Sequence, residues 1–158
     1  MLADTSSILV DSNIIYTLKT NKKNKIGQPD GVWWDIGNNN DTGYFPSVST
    51  YNNGLLDGQS IVFYPNKVIA TNSYYSQGQL HGISISFWPN GKLYIVSSYK
   101  NGNLNGLYKE YDSSGILIKA TQFINNKKNG YEVVFSSKGE VVSIKKFLEN
   151  KEIKENTN

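Results

Sequence analysis

His81 is the single histidine in a chain of 158 residues that contains no cysteine. Thiol nucleophiles, zinc–thiolate sites and any site needing two imidazoles therefore cannot be assembled from it. All sixteen basic residues are lysine, which removes the bidentate guanidinium grip on phosphate or carboxylate. His81 shares a polar column with Asp57, Asn105 and Asn129, so it reads as a turn residue and not as a general base. Glu110 and Asp112 stand two apart in an alternating stretch; they would share one strand face, suited to a cation or a lysine-bearing partner, though a plain solvated face is the preferred reading. Serines are plentiful, but no Gly-x-Ser-x-Gly elbow is present. The glycines do not open a helix onto a phosphate. The expectation is a protein that is not an enzyme and has no catalytic residue, cofactor or metal.

Aromatic residues are more promising. Tyr64, Trp88, Tyr94 and Tyr108 would project from the face opposite Ile83, Ile85 and Phe87 if those three point inward. Large rings among Ser, Asn and Glu resemble an interface core with a polar rim. Tyr64, Trp88, Tyr94, Tyr108, Glu110 and Asp112 are thus the candidate partner-binding residues, with Trp33 and Trp34 able to cover the same surface from the N-terminal side. Net charge is +3, short of the dense basic stripe of a nucleic-acid binder, so no nucleic acid is expected. Lys19–Lys25, Lys127–Lys128 and Lys145–Lys146 offer an alternative contact with an anionic membrane surface. No apolar run approaches the roughly 20 residues that span a bilayer, and acid stands near Met1 where a secretory signal carries lysine or arginine, so a cytoplasmic location is expected.

The elements that must carry these residues are set by a 24-residue period. Tyr51, Tyr75, Tyr99, Phe123 and Phe147 form an aromatic column, and Gly58, Gly82, Gly106 and Gly130 a glycine column. Gly54, Gly78 and Gly102 form a third that ends in Asn126, a residue that also accepts left-handed backbone. Leu56, Leu80 and Leu104 form a fourth, broken by Lys128. An irregular earlier copy lies at Gly27–Gly31, offset by 27 residues, with the surplus placed in the turn Asn38–Gly43 and Phe45 returning to register. The expected division is one domain over 1–158: lead-in strands 1–23 including a strand at Asn13–Lys19, an irregular repeat 24–50, repeats 51–74, 75–98, 99–122 and 123–146, and a partial cap with a charged tail over 147–158.

Within each repeat the period is two, as in Ile83, Ile85 and Phe87 alternating with Ser84, Ser86 and Trp88. A second alternating run follows the turn Pro89-Asn90-Gly91, so one repeat equals one β-hairpin. Twenty asparagines and fourteen glycines against four prolines suit many tight turns. The expected fold class is all-β: an elongated antiparallel meander of stacked 24-residue β-hairpin repeats. Its ladders Phe63, Phe87, Tyr111, Phe135 and Ile69, Leu93, Leu117, Val141 would be buried between hairpins.

The pattern aromatic-x-Asn-Gly-x-Leu-x-Gly, followed by an aromatic five positions later, resembles membrane occupation and recognition nexus (MORN) repeats, and more closely their bacterial repeat-variant family. Tyr51–Gly58, Tyr75–Gly82 and Tyr99–Gly106 carry the resemblance best; with Gly27–Gly31 and Phe123–Gly130 it covers about two thirds of the chain. Lys67, Asn126 and Lys128 depart from the pattern. The resemblance implies a twisted antiparallel sheet of successive hairpins. It further implies a protein-binding role, with an antitoxin or immunity protein that masks a cognate toxin as one form of it and a structural or lipid-surface scaffold as the alternative.

Overall fold

A computed structural model describes residues 21–35 and 46–154. The expected strand at Asn13–Lys19, the turn Asn38–Gly43, the register of Phe45 and the last residues of the tail lie outside these. The described chain forms eleven strands: β1 (Gly31–Asp35), β2 (Ser47–Asn52), β3 (Leu55–Phe63), β4 (Ile69–Ser76), β5 (Gln79–Phe87), β6 (Leu93–Lys100), β7 (Asn103–Tyr111), β8 (Leu117–Ile124), β9 (Lys127–Phe135), β10 (Val141–Leu148) and β11 (Lys151–Ile153). They pair antiparallel, each with its sequence neighbour, in a single open sheet in the order β1 to β11. The fold is therefore all-β, a meander of hairpins, as the period implies. No helix occurs among the described residues.

Turn chemistry explains the hairpins. The turns joining β2 to β3, β4 to β5, β6 to β7, β8 to β9 and β10 to β11 hold two residues, both at positive φ, as in Asn101 (50°) and Gly102 (76°) or Asn125 (48°) and Asn126 (65°). This is the type I′ pattern, whose twist matches that of the flanking strands. The turns at the opposite end of the sheet are three-residue loops whose last residue is left-handed, namely Lys67, Gly91, Gly115 and Gly139. Asn126 keeps the backbone conformation of the glycines it replaces and adds something they lack. Its N–H donates to the Leu104 carbonyl (2.9 Å) while its side-chain oxygen accepts the Leu104 N–H (2.6 Å). Asn150 does the same to Lys128 at 2.9 and 2.7 Å.

Strand register defines the two faces. On one side a row runs across ten strands from Trp33 through Ser49, Ser60, Ser73, Ser84 and Ser97 to Tyr108, Thr121, Glu132 and Lys145. This is the covered side: Ser97 is 3% and Thr121 1% exposed. Hydroxyl pairs link neighbouring strands along it, Ser49 to Ser60 and Ser73 to Ser84 at 2.7 Å. Two residues along each strand on the same side stands the aromatic column. Tyr75, Tyr99, Phe123 and Phe147 lie directly opposite Gly58, Gly82, Gly106 and Gly130. No second layer lies over the sheet among the described residues, so small side chains there are buried by longer neighbours on the same side. Burial raises the pKa of Tyr75, and the adjacent Tyr99 and Tyr51 raise it further, as expected of stacked phenols in one column.

The expected inward direction of Ile83, Ile85 and Phe87 is corrected by this geometry. Ile83 and Ile85 share the side opposite the serine row, and Ile83 is 53% exposed. The ladder residues do pair in register, Phe63 with Ile69, Phe87 with Leu93, Tyr111 with Leu117 and Phe135 with Val141. They are half-buried, and Val141 is exposed. Among the described residues the one buried hydrophobic side chain is Ala70, 8% exposed. The reason is geometric: alternation separates two faces, but both faces of these strands carry apolar residues, so alternation alone does not say which is covered.

Asn21 lies along the outer edge of β1, its N–H donating to the Val32 carbonyl (2.8 Å). Asn21 accepts the Trp34 N–H (2.6 Å) and donates to the Trp34 carbonyl (2.9 Å), standing in for a neighbouring strand.

Candidate binding face

The open side of the sheet is built by two register rows. The first runs from Trp34 and Val48 through Ile61, Asn72, Ile85, Val96, Lys109, Ala120 and Val133 to Ile144. The second holds the pairs Gln59–Tyr74, Ile83–Ser98, Leu107–Gln122 and Tyr131–Lys146. Each pair adjoins a bulge where the facing strand skips register, as between Ser97 and Tyr99 on β6. The bulge needs its glycine: Gly106 sits at φ +121°, and a Cβ there would come within 3.0 Å of the Ser98 Cβ. So the glycine column lets Thr50, Tyr74, Ser98 and Gln122 lie close against the neighbouring strand.

Tyr74, Ile83, Leu107 and Tyr131 are each about half exposed, at 46 to 53%. The charged members of the two rows are Lys109 and Lys146; no carboxylate stands in either row. The glutamates Glu110 and Glu132 lie on the covered side, each beside a lysine. Glu110 pairs with Lys119 at 2.9 Å and Glu132 pairs with Lys128. The Glu110 hydrogen bond raises the pKa of Lys119 against an opposing effect of burial. Burial works against ionisation of Glu132, but the Lys128 hydrogen bond and charge outweigh it and hold its carboxyl below the ordinary glutamate value. Tyr108 is raised by burial first and by Glu110 second.

The residues picked out from sequence occupy three different places. Tyr108 and Glu110 lie on the covered side, Tyr108 edge-on to Phe123 with centroids 6.1 Å apart. Tyr64, Trp88 and Asp112 are equivalent positions that immediately precede the three-residue loops. The Tyr64 hydroxyl donates to the Phe87 carbonyl (2.8 Å) and the Trp88 indole N–H to the Tyr111 carbonyl (3.1 Å), so each ties its hairpin to the next. Tyr94 packs against Trp88 with centroids 4.2 Å apart. Asp112 falls beyond the end of β7, and its carboxylate accepts the Ser114 and Ile116 N–H groups at 2.8 and 2.9 Å. It does not share a strand face with Glu110, and both carboxylates already have partners. His81 meets Asn101 at 3.2 Å on the type I′ rim of the sheet. Among the described residues no group of three or more His, Asp and Glu gathers as a metal site would require.

The sequence pattern pointed Ile83 inward and singled out none of Tyr74, Leu107 and Tyr131. A signal for them exists. Structural columns keep their residue type from repeat to repeat, whereas the position after each column glycine changes freely from Gln59 to Ile83, Leu107 and Tyr131. A column that varies while remaining large faces solvent, where packing places no demand on shape.

Residues 80–101 and 104–125 match the family model described as MORN repeat variant. The two matches start 24 residues apart and reach from the second residue of β5 to just past the end of β8. The hairpins on either side repeat the same strand lengths and turn types outside the matched segments. No match to a curated protein is found.

Proposed function

We propose that this protein is a non-enzymatic binding module that holds a partner protein on its open face. Two MORN-variant repeats suggest a repeat-based binding module. The observation that carries the finer reading is the half-exposed row Tyr74, Ile83, Leu107 and Tyr131 on rows free of carboxylate. Rigid strands present these side chains, so docking costs little conformational entropy. The partner is a toxin masked sterically by the sheet, which makes the protein an antitoxin or immunity factor; that part rests on the family resemblance alone. A lipid-surface scaffold is the competing reading. It is weakened because Lys127, Lys128 and Lys145 are engaged by Glu149, Glu132 and Glu152.

Co-expression with the product of the neighbouring gene tests this. A stoichiometric complex that Ile83→Glu and Leu107→Glu abolish, and that Trp88→Phe leaves intact, is the expected result. A complex indifferent to the open-face substitutions overturns the reading, as does attachment to anionic vesicles that fades with salt in place of protein binding.

A further inference from the structure

The second row of the open face supplies one apolar anchor and one hydrogen-bond donor per repeat: Ile83 with Ser98, Leu107 with Gln122, and Tyr131 with Lys146. Successive anchors lie two strands apart, which at the usual inter-strand spacing is about 9.6 Å. A ligand crossing the strands can meet every anchor only if its own side chains return to one face at that interval. An extended strand returns every two residues, about 6.8 Å. An α-helix returns after seven residues, about 10.5 Å, and overshoots by about 2 Å across two intervals. A polyproline II helix returns every three residues, about 9.3 Å, and stays within about 1 Å over the same distance.

The donors fit the same backbone. Polyproline II has no internal hydrogen bonds, so its carbonyls need partners from outside. The Ser98 hydroxyl, the Gln122 amide and the Lys146 ammonium stand beside the anchors. Gln122 uses its carbonyl oxygen to accept the Tyr131 N–H at 3.0 Å, which leaves its NH2 to donate. With Lys109 and Lys146 as the charged members of the two rows, acidic side chains on the ligand are favoured.

We propose that the open face is a track for an extended, proline-rich, acidic segment of a partner protein, lying across the strands with an apolar residue at every third position. This rests on the reading that the open face is the binding face.

The probe is a labelled synthetic peptide of four Leu-Pro-Asp triplets, compared by fluorescence anisotropy with a peptide of similar composition whose leucines recur every fourth residue and with a helical peptide whose leucines recur every seventh. Saturable binding of the triplet peptide, at least about ten-fold tighter than either control, is expected. Leu107→Glu should weaken it by about ten-fold or more, and Lys146→Gln should flatten its dependence on salt. Leu107→Ser replaces Leu107→Glu if circular dichroism shows the latter to disturb the sheet. Equal binding of the three peptides, preference for either control, no saturable binding, or indifference to the Leu107 substitution overturns the proposal. If the triplet peptide fails while the partner complex still depends on Ile83 and Leu107, the track is wrong and the binding face stands.

Discussion

The two sides of this sheet handle the same problem in opposite ways. The covered side sets serines and a threonine beside a column of rings, and its Glu110 and Glu132 are matched by lysines. The open side displays Tyr74, Ile83, Leu107 and Tyr131 about half exposed and lacks carboxylate in its two register rows. Stability in a repeat sheet comes from interactions that recur at every junction, so the side that carries the constant aromatic column is the one that holds the hairpins together. The variable column Gln59, Ile83, Leu107 and Tyr131 is free to be shaped by what it contacts.

Substitutions should therefore separate the two sides sharply. Gly106→Val places a branched side chain at φ +121° and against Ser98; a loss of about 3 kcal/mol in urea unfolding is expected. Thr121→Leu overfills a position that is 1% exposed and should cost about 2 kcal/mol by the same measurement. Lys67→Gly relieves a lysine held at φ 66° and should raise stability by about 1 kcal/mol, since the turns serve the scaffold whichever side is considered. A stable Gly106→Val protein would show that the bulge is not what seats the neighbouring strand.

Acid should also act on the covered side. The Glu132 carboxyl is held below the ordinary value near 4.5; its contribution is present above that pH and is lost as pH falls through the lowered value in the fold. Unfolding followed by circular dichroism from pH 6 downward should show a decline that Glu132→Gln removes. The smallest effect is predicted for Leu107→Ser. Stability should stay within about 0.5 kcal/mol of the parent while partner binding is lost, and a large loss of stability would mean that the open side carries the fold as well.

Much of the molecule was legible beforehand because its signals are local. Turn residues at positive φ, strand alternation and the 24-residue columns depend on backbone sterics within one hairpin, and they led to the meander. The candidate site was less legible. Tyr64, Trp88 and Asp112 are polar or aromatic for reasons internal to the stack, since their partners are backbone groups in the next hairpin or in their own loop. Asn126 was readable as a left-handed residue, but its second bond to Leu104 depends on a strand 22 residues away.

The amino-acid sequence alone determined the repeat length, the strands, the turns and the order in which hairpins follow one another, because each is a short-range consequence of side-chain size and allowed φ. Only the tertiary structure decided which side of the sheet is covered. With apolar residues on both faces and no second layer among the described residues, that choice depends on how side chains of neighbouring strands pack over one another, a cooperative outcome that no single strand contains.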